Sequence, residues 1–536
     1  MDSTTIPVEE YDYVIVGAGT AGCVVANRLT EDPRIRVLIV EAGGPDTNPW
    51  IHVPMGFYRT AHSPSYNWGY ETEPVPGLGG RRIPWPRGKV VGGSSSTNGL
   101  LYVRGAHSDF DHWAQLGNHG WGYADVLPYF RKSENQERGE DAFHGKGGPL
   151  NVSNLRIKLP INQAFIAAGM ELGYPHNPDF NGASLDGVGE YQLNVGGRRR
   201  SSSATAFLRP ALRRGNLRLV TQALAERIVL EGRRATGLRY SVGGQPRLAK
   251  ARQMVVLCGG AINSPQLLQL SGIGPGEVLK AAGIDVAHEL PGVGEGLQDH
   301  VSGRVTMRSK NALTLNDIGQ SLPRQVLAGL EYAFRGTGPL MLGASPLGLF
   351  ARSRPGLEAP DLQFFFLAGS SDKGGGVLND FAATTIAFNQ CRPESRGWIR
   401  IASPDPLAKP RIQPNYLSTR TDEEAIVAGF RLARDIFATR AFAPYRVSEF
   451  LPGDEVVGDE ALLAYARQRV GTGYHPSSTC IMGTNDRAVV DPSLRVRGIS
   501  SLRVVDASIM PSVVSTNTNA ATYMIAEKGA DLIKQA

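Results

Sequence analysis

Between Tyr11 and Gly44 the chain opens with Tyr-Asp-Tyr-Val-Ile-Val-Gly-Ala-Gly-Thr-Ala-Gly and closes with Arg-Val-Leu-Ile-Val-Glu-Ala-Gly-Gly. Few folds accommodate that succession. Tyr13 to Val16 is a β-branched run of the kind buried on both faces of a parallel sheet. It runs straight into Gly17-x-Gly19-x-x-Gly22. Gly17 permits the tight turn, Gly19 lets a pyrophosphate approach the backbone, and Gly22 lets the next helix pack close to the strand. That helix, predicted from about Ala21 to Thr30, aims its free N–H groups and positive dipole end at the phosphates, with Thr20 and Ala21 in its first turn. A second strand, Val37 to Val40, ends at Glu41 and Ala42, where a carboxylate can accept hydrogen bonds from a ribose diol. With 64 glycines in 536 residues, spaced glycines alone say little; the order of strand, turn, helix, strand and acid makes the segment a dinucleotide cradle. The cradle suits FAD and NAD alike.

At 536 residues the chain exceeds one compact core, so two or more domains are expected. An apolar content of 41% and a charged content of 20% describe an ordinary globular protein. The net charge of +6 is small for this length. The short basic groups Arg198-Arg199-Arg200 and Arg213-Arg214 read as solvated loop residues, so nucleic acid is not an expected partner. Four dispersed cysteines, Cys23, Cys258, Cys391 and Cys480, form no C-x-x-C pair, which argues against a disulfide framework or a metal site and suits a reducing compartment. No apolar run reaches signal-peptide or membrane-spanning length, so a cytoplasmic location is expected. Oligomeric state leaves no mark in the sequence.

After a Pro-, Trp- and Tyr-rich stretch from Pro45 to Pro86 comes Trp85-Pro-Arg-Gly-Lys-Val-Val-Gly-Gly-Ser-Ser-Ser-Thr-Asn-Gly-Leu-Leu-Tyr-Val-Arg-Gly105. Its Gly92 to Ser96 backbone can hug a flat or charged ligand with its N–H groups turned inward. Farther on, Val255 to Cys258 reads as a buried strand, Gly259-Gly260 as the turn, and Ser264 as an N-cap with Pro265 at the first helical position, within Gly260-Ala-Ile-Asn-Ser-Pro-Gln-Leu-Leu-Gln-Leu-Ser-Gly-Ile-Gly274. Together with the cradle, these two segments resemble the signatures of the glucose-methanol-choline family of FAD-dependent alcohol oxidoreductases, and the resemblance extends over nearly the whole chain.

That resemblance implies FAD as cofactor. It implies contacts from Gly17, Gly19, Thr20, Ala21, Gly22, Glu41 and Ala42 in the cradle, and from Arg87, Gly88, Val91, Gly92, Gly93, Asn98, Gly99 and Leu100 in the first signature. Asp506, Ala507, Thr518 and Asn519 join them from the C-terminal motifs. Some members hold FAD covalently through a His directly before the Asn; here Thr97 precedes Asn98, so dissociable FAD is expected. Pro291-Gly-Val-Gly-Glu-Gly-Leu-Gln-Asp-His300 resembles a further family element but carries Gly296 where Asn is usual, which leaves the local turn in question.

The expected fold is α/β: a Rossmann-like FAD-binding domain (residues 1–45, 85–150, 200–300 and 470–536), a lid over 46–84, and a discontinuous substrate-binding domain (151–199 and 301–469) built on an antiparallel sheet. Leu217 to Val242 alternates as a small β-meander. Asp361 to Leu367 and Trp398 to Ile401 read as strands and Thr421 to Ala438 as a helix. One face of the Asp361 to Leu367 strand is expected to line the pocket: the candidate substrate contacts Phe364 and Phe366 stand on one face, and Gln363 and Phe365 on the other, with the choice between the faces open.

Tyr474-His-Pro-Ser-Ser-Thr-Cys-Ile-Met-Gly483 contains His475, and Leu502-Arg-Val-Val-Asp-Ala-Ser-Ile-Met-Pro-Ser-Val-Val-Ser-Thr-Asn-Thr-Asn519 contains Asn517. By the resemblance these are the catalytic pair. The residue types suit that chemistry. Hydride leaves an alcohol carbon only as the hydroxyl loses its proton, which a histidine can take, while an amide donates to the forming alkoxide. Asn519 is the expected N-cap of a final helix from Ala520 to Lys534. The function expected is oxidation of a small or medium polar primary alcohol (a sugar, polyol, polyether or aryl alcohol), with oxygen or another electron acceptor. Choline oxidation, oxidase activity, cyanohydrin cleavage on a flavin scaffold and a non-catalytic nucleotide-binding module are the alternatives.

Overall fold

The computed structural model describes residues 7–157, 159–372 and 377–536. Its first large sheet has the strand order Leu217–Val220, Val37–Val40, Val8–Val16, Gln245–Leu257, Arg234–Val242, Ala223–Glu231, with Leu502–Val504 also paired to Gln245–Leu257. Val8–Val16 runs parallel to both of its neighbours. It starts before Tyr13 because its first residues pair with Leu248 to Ala251, in the half of Gln245–Leu257 that belongs to the meander. One long strand thus serves two partners in turn: Arg234–Val242 holds its beginning antiparallel, and Leu502–Val504 holds its end parallel.

Two helices begin elsewhere than the sequence suggests. The helix after Gln245–Leu257 spans Gly260–Leu270, so Pro265 lies inside it and Ser264 is not its cap. Proline removes the N–H that would bond the carbonyl four residues back, and the Thr479 hydroxyl supplies the missing donor to Ala261 O at 2.7 Å. The Ser264 hydroxyl instead donates to Asp506 Oδ2 at 2.5 Å. The last helix spans Thr518–Lys534 with Asn517, not Asn519, at the N-cap position. Asn519 Oδ1 is occupied by the Thr20 hydroxyl at 2.8 Å, which ties the last helix to the first, Thr20–Leu29.

The second large sheet has the order Arg446–Leu451, Val301–Ser309, Ala383–Gln390, Leu362–Leu367, Leu347–Ala351, Gly187–Glu190, with Gly471–Thr472 on Val301–Ser309. Every pairing in it is antiparallel. Helix Arg420–Ala438 buries Ala425, Ile426, Phe430, Ala433 and Phe437, spaced three and four apart on one stripe, against the outer face of this sheet. A hydrophobic cluster forms around each large sheet. The inner face of the second sheet is left facing the C-terminal ends of the parallel strands, where ligands bind in doubly wound sheets. Gly296 sits at φ +80°, a left-handed conformation that glycine and asparagine both tolerate, so the departure at this position leaves the turn feasible.

Candidate active site

A cavity of about 650 Å³ lies between the two sheets. Its floor is the cradle. A Cβ on Gly22 would fall 1.9 Å from Gly17 O, so only glycine allows the Thr20–Leu29 helix to approach the turn. Gly93 crosses Gly19 so closely that a Cβ there would lie 2.8 Å from Gly19 Cα. The Glu41 carboxylate accepts from Ala18 N and Gly43 N, each at 2.8 Å, through different oxygens, which leaves each oxygen acceptor capacity toward the cavity. Burial pushes its pKa up to about 7, with the two N–H groups opposing. Gly17, Gly19, Thr20, Ala21, Glu41 and Ala42 all line the cavity; Gly22 does not, being spent on packing.

From the first signature, Arg87, Gly88, Gly93, Asn98, Gly99 and Leu100 reach the cavity, whereas Val91 and Gly92 do not. Val91 is buried in the core cluster, and Gly92 N donates to Ala18 O at 2.7 Å, fastening the serine-rich turn to the cradle. Arg200 corrects the reading of its arginine run as solvated. It is 2% exposed and donates to Ile51 O, Ser95 O and Asn98 Oδ1, the last at 2.7 Å. Burial lowers its pKa to about 9. Asp506 accepts from Gly260 N and Ser508 N, both at 2.8 Å, and lines the cavity with Ala507, Thr518 and Asn519. A glycine-lined groove, a carboxylate with spare acceptor capacity and a helix N-terminus at Thr518 together suit a dinucleotide such as FAD.

Above this floor, His475 and Asn517 meet: Asn517 Nδ2 stands 2.9 Å from His475 Nε2. The direction of the bond follows from a chain of fixed ends. Tyr191 OH donates to Phe364 O at 2.8 Å, so its oxygen accepts from Gln363 Nε2 at 3.2 Å. Gln363 Nε2 also donates to Asn517 Oδ1 at 3.1 Å. The Asn517 amide therefore turns its N–H toward His475, whose Nε2 must be the unprotonated nitrogen. His475 Nδ1 then carries the hydrogen and donates to His300 Nδ1 at 3.0 Å. Burial, followed by the His300 ring and the Arg87 charge, holds the His475 pKa well below its ordinary value. Burial takes His300 down to about 4. The His475 backbone is held by Asp299 Oδ1, which accepts its N–H at 2.6 Å, while Thr472 and Tyr416 donate to the other oxygen. Positive φ at Tyr474, Ser478 and Leu100 gathers backbone strain around this point.

Phe364 and Phe366 are placed differently from the expectation. Both are fully buried on the outer face of their strand, against Phe388 and Phe165 respectively. Alternation then brings Gln363, Phe365 and Leu367 to the inner face, where Phe365 and Leu367 line the cavity and Gln363 touches Asn517. Gln363, His300, Asp299 and Arg200 are the site residues that sequence reasoning passed over. For Gln363 a signal existed: it is the one polar residue within an otherwise apolar strand, Leu362–Leu367. Replacing it with leucine is expected to free the Asn517 amide and slow substrate oxidation about tenfold, the scale of one hydrogen bond at a reacting group. A Gln363→Glu variant, whose carboxylate cannot donate to Asn517 Oδ1, is expected to shift the pH profile as well; both effects are read from the rate of flavin reduction.

A glycine-lined cofactor cradle facing a neutral histidine and an amide defines a nucleotide-dependent oxidoreductase. The chain belongs to the GMC oxidoreductase family: its N-terminal part matches over residues 11–302 and its C-terminal part over 393–526. It is an oxidoreductase of the kind that acts on CH–OH groups, built on an FAD-binding fold. Among its relatives, mitochondrial choline dehydrogenase of Homo sapiens is 45% identical over 98% of this chain and 90% of its own length. Alcohol dehydrogenase [acceptor] of Pseudomonas putida is 41% identical over 98% and 95%. Pyridoxine 4-oxidase from Mesorbium loti superposes with a TM-score of 0.89 at 33% identity, covering 98% of this chain and 99% of that one.

Proposed function

We propose that the protein oxidises an uncharged primary alcohol to its aldehyde, with His475 as base and Asn517 as donor to the developing alkoxide. FAD, when bound in the cradle, supplies the hydride acceptor. The substrate hydroxyl takes the place of the Asn517 N–H at the His475 Nε2 lone pair, and its proton passes to that nitrogen as the hydride departs. The Asn517 amide N–H, aimed at the same spot, donates to the oxygen as negative charge builds there. The imidazolium that results keeps its Nδ1–H on His300 Nδ1, so the ring does not turn. The low pKa of His475 matters here: a ring already charged at neutral pH has no lone pair to offer.

The observation that carries the choice of substrate is the charge of the lining. The carboxylates among the described cavity residues are Glu41 and Asp506, both on the cradle side; on the sheet side stand Phe365, Leu367, Leu378, Ala387 and the cation Arg304. A quaternary ammonium such as choline needs an acid or an aromatic cage, and the sheet side offers it one ring, Phe365, and the exposed cation Arg304. Elsewhere in the lining, Trp68 has Lys89 Nζ 4.8 Å from its ring centre and stacks on Tyr70, and Phe57 packs on Tyr58. We therefore favour an alcohol with an apolar or ether-like tail over choline, although choline dehydrogenases are among the relatives. Straight-chain and benzylic alcohols are expected to bleach the flavin anaerobically at rates about 10²-fold above choline, since an unpaired buried cation loses several kcal/mol. Faster bleaching by choline would defeat this reading. We further propose, on the likeness to alcohol dehydrogenase [acceptor], that the electrons pass to an acceptor other than oxygen. Dye reduction without matching oxygen consumption is the expected result.

Thr97 lines the cavity and has no nucleophile able to bond the flavin ring as imidazole does. The cofactor is thus proposed to be held without a covalent bond. Acid precipitation is expected to leave the yellow colour in the supernatant; colour in the pellet would refute this. The four cysteines are free and buried, which fits a reducing compartment such as the cytoplasm.

A further inference from the structure

Helix Leu322–Arg335 presents its apolar side chains to solvent. Among the described residues fifteen large apolar side chains stand exposed, and five of them, Leu322, Val326, Leu327, Leu330 and Phe334, lie on this one helix. Leu322 is 71% exposed and Phe334 76%. Leu322, Val326, Leu330 and Phe334 recur every fourth residue along a single stripe, with Leu327 at its edge, a continuous patch of the kind that marks an interaction surface. Ala328 is the residue the helix buries.

The rim of the patch is basic. Arg324 and Arg335 stand exposed on the helix itself. At its C-terminal end the exposed Arg198 donates to Ala333 O and Phe334 O, and Arg199 lies close enough to influence Tyr332. The neighbouring acids are turned to local partners: Glu331 accepts from the Thr337 hydroxyl at 3.0 Å, and Asp317 caps the preceding helix through Thr314 N at 2.8 Å. That preceding helix, Leu315–Gly319, leans on the cavity wall. Leu315 clusters with Leu342, Leu367 and Leu378, and Leu367 and Leu378 line the cavity.

We propose that this helix docks the protein on an anionic phospholipid bilayer, with its apolar stripe in the acyl boundary and its arginines among the headgroups. An apolar face flanked by cations is what an interfacial helix requires. A second copy of the chain fits less well, because a two-fold contact across the helix sets one arginine rim against the other. No helix among the described residues is long and apolar enough to cross a membrane, so the attachment is peripheral. It sets the wall of the active-site cavity beside the bilayer, where apolar alcohols and lipid-soluble electron acceptors partition. This inference rests on the surface alone and stands apart from the choice of substrate.

The test is co-sedimentation of the holoenzyme with vesicles of phosphatidylcholine, with or without phosphatidylglycerol. Binding is expected to the anionic vesicles and to weaken with salt. A Leu327→Glu/Phe334→Glu variant is expected to bind about tenfold less or weaker still, and Arg324→Glu/Arg335→Glu to lose the preference for phosphatidylglycerol. Flavin content and dye-linked activity stay at wild-type levels in both, which shows that they fold. Wild-type protein left in the supernatant, or sedimentation unchanged by Leu327→Glu/Phe334→Glu, overturns the proposal. A vesicle-indifferent dimer that the same variant converts to monomer overturns it in favour of a second copy.

Discussion

His475→Ala is expected to reduce its flavin about 10² to 10⁴ times more slowly than wild type under anaerobic conditions, the usual reach of a positioned acid-base group. Substrate binding suffers much less, because the proton is shared mainly in the transition state. Asn517→Ala slows the step by at most a similar factor, through the loss of one donor to the alkoxide. The double variant loses less than the product of the two, since both groups address one oxygen. The depressed pKa of His475 adds a pH signature. The base is neutral above its pKa, so the rate of reduction holds steady as pH falls through 6.5, the ordinary histidine value, and drops only at lower pH. Wild-type flavin reduction by His475→Ala with a confirmed substrate would remove His475 from the mechanism.

The second large effect concerns the cofactor. Each hydrogen bond from a ribose hydroxyl to an ionised carboxylate is worth about 1.5 to 3 kcal/mol, so with two such bonds from the diol Glu41→Ala is expected to weaken FAD binding by about 10² to 10⁴. The substitution also strips Ala18 N and Gly43 N of their acceptor, and that loss falls on stability rather than affinity, since it is common to the free and bound protein. Here too the sign of the pH dependence follows from the pKa. The free carboxyl, raised to about 7, takes up a proton below that pH, whereas the diol favours the ionised form. FAD affinity therefore declines as pH drops below about 7, by up to about tenfold per unit. Glu41→Gln binds more weakly and loses this dependence. Fluorescence titration of apoprotein with FAD at several pH values reads both; a flat profile in the wild type would separate Glu41 from the ribose.

Glycine and acid positions were legible in the sequence because backbone geometry demands particular residue types at fixed spacing, as the Gly22 contact with Gly17 O makes concrete. Strand facing was not. Leu362–Leu367 is apolar on both faces apart from Gln363, and packing remote in sequence, of Phe165 on Phe366 and of Phe388 between Phe364 and Phe430, decides which face turns outward. Arg200 was hidden in a run of arginines and is singled out by partners at Ile51, Ser95 and Asn98. Helix starts misread for a related reason: Ser264 and Asn519 have good capping chemistry, but Asp506 and Thr20 claim their side chains first. Local propensity yields to such long-range bonds wherever the site is being assembled.

The double employment of strand Gln245–Leu257 bears on how the molecule comes into being. Val8–Val16, synthesised before either of its parallel neighbours, finds one at Val37–Val40 but the other only when residue 257 has been made. The end of that neighbour stays open until Leu502–Val504 arrives, and the helix Thr20–Leu29 waits for Asn519. Contacts of such sequence separation are slow to form. The second sheet draws most of its strands from residues 301–472 and can assemble while the first is still incomplete. During synthesis Val8–Val16 and Val37–Val40 are thus covered late, and their unpaired apolar edges are of the aggregation-prone kind in that interval. Ribosome-stalled chains cut before residue 502 are expected to show a protease-resistant second sheet beside a protease-sensitive N-terminus.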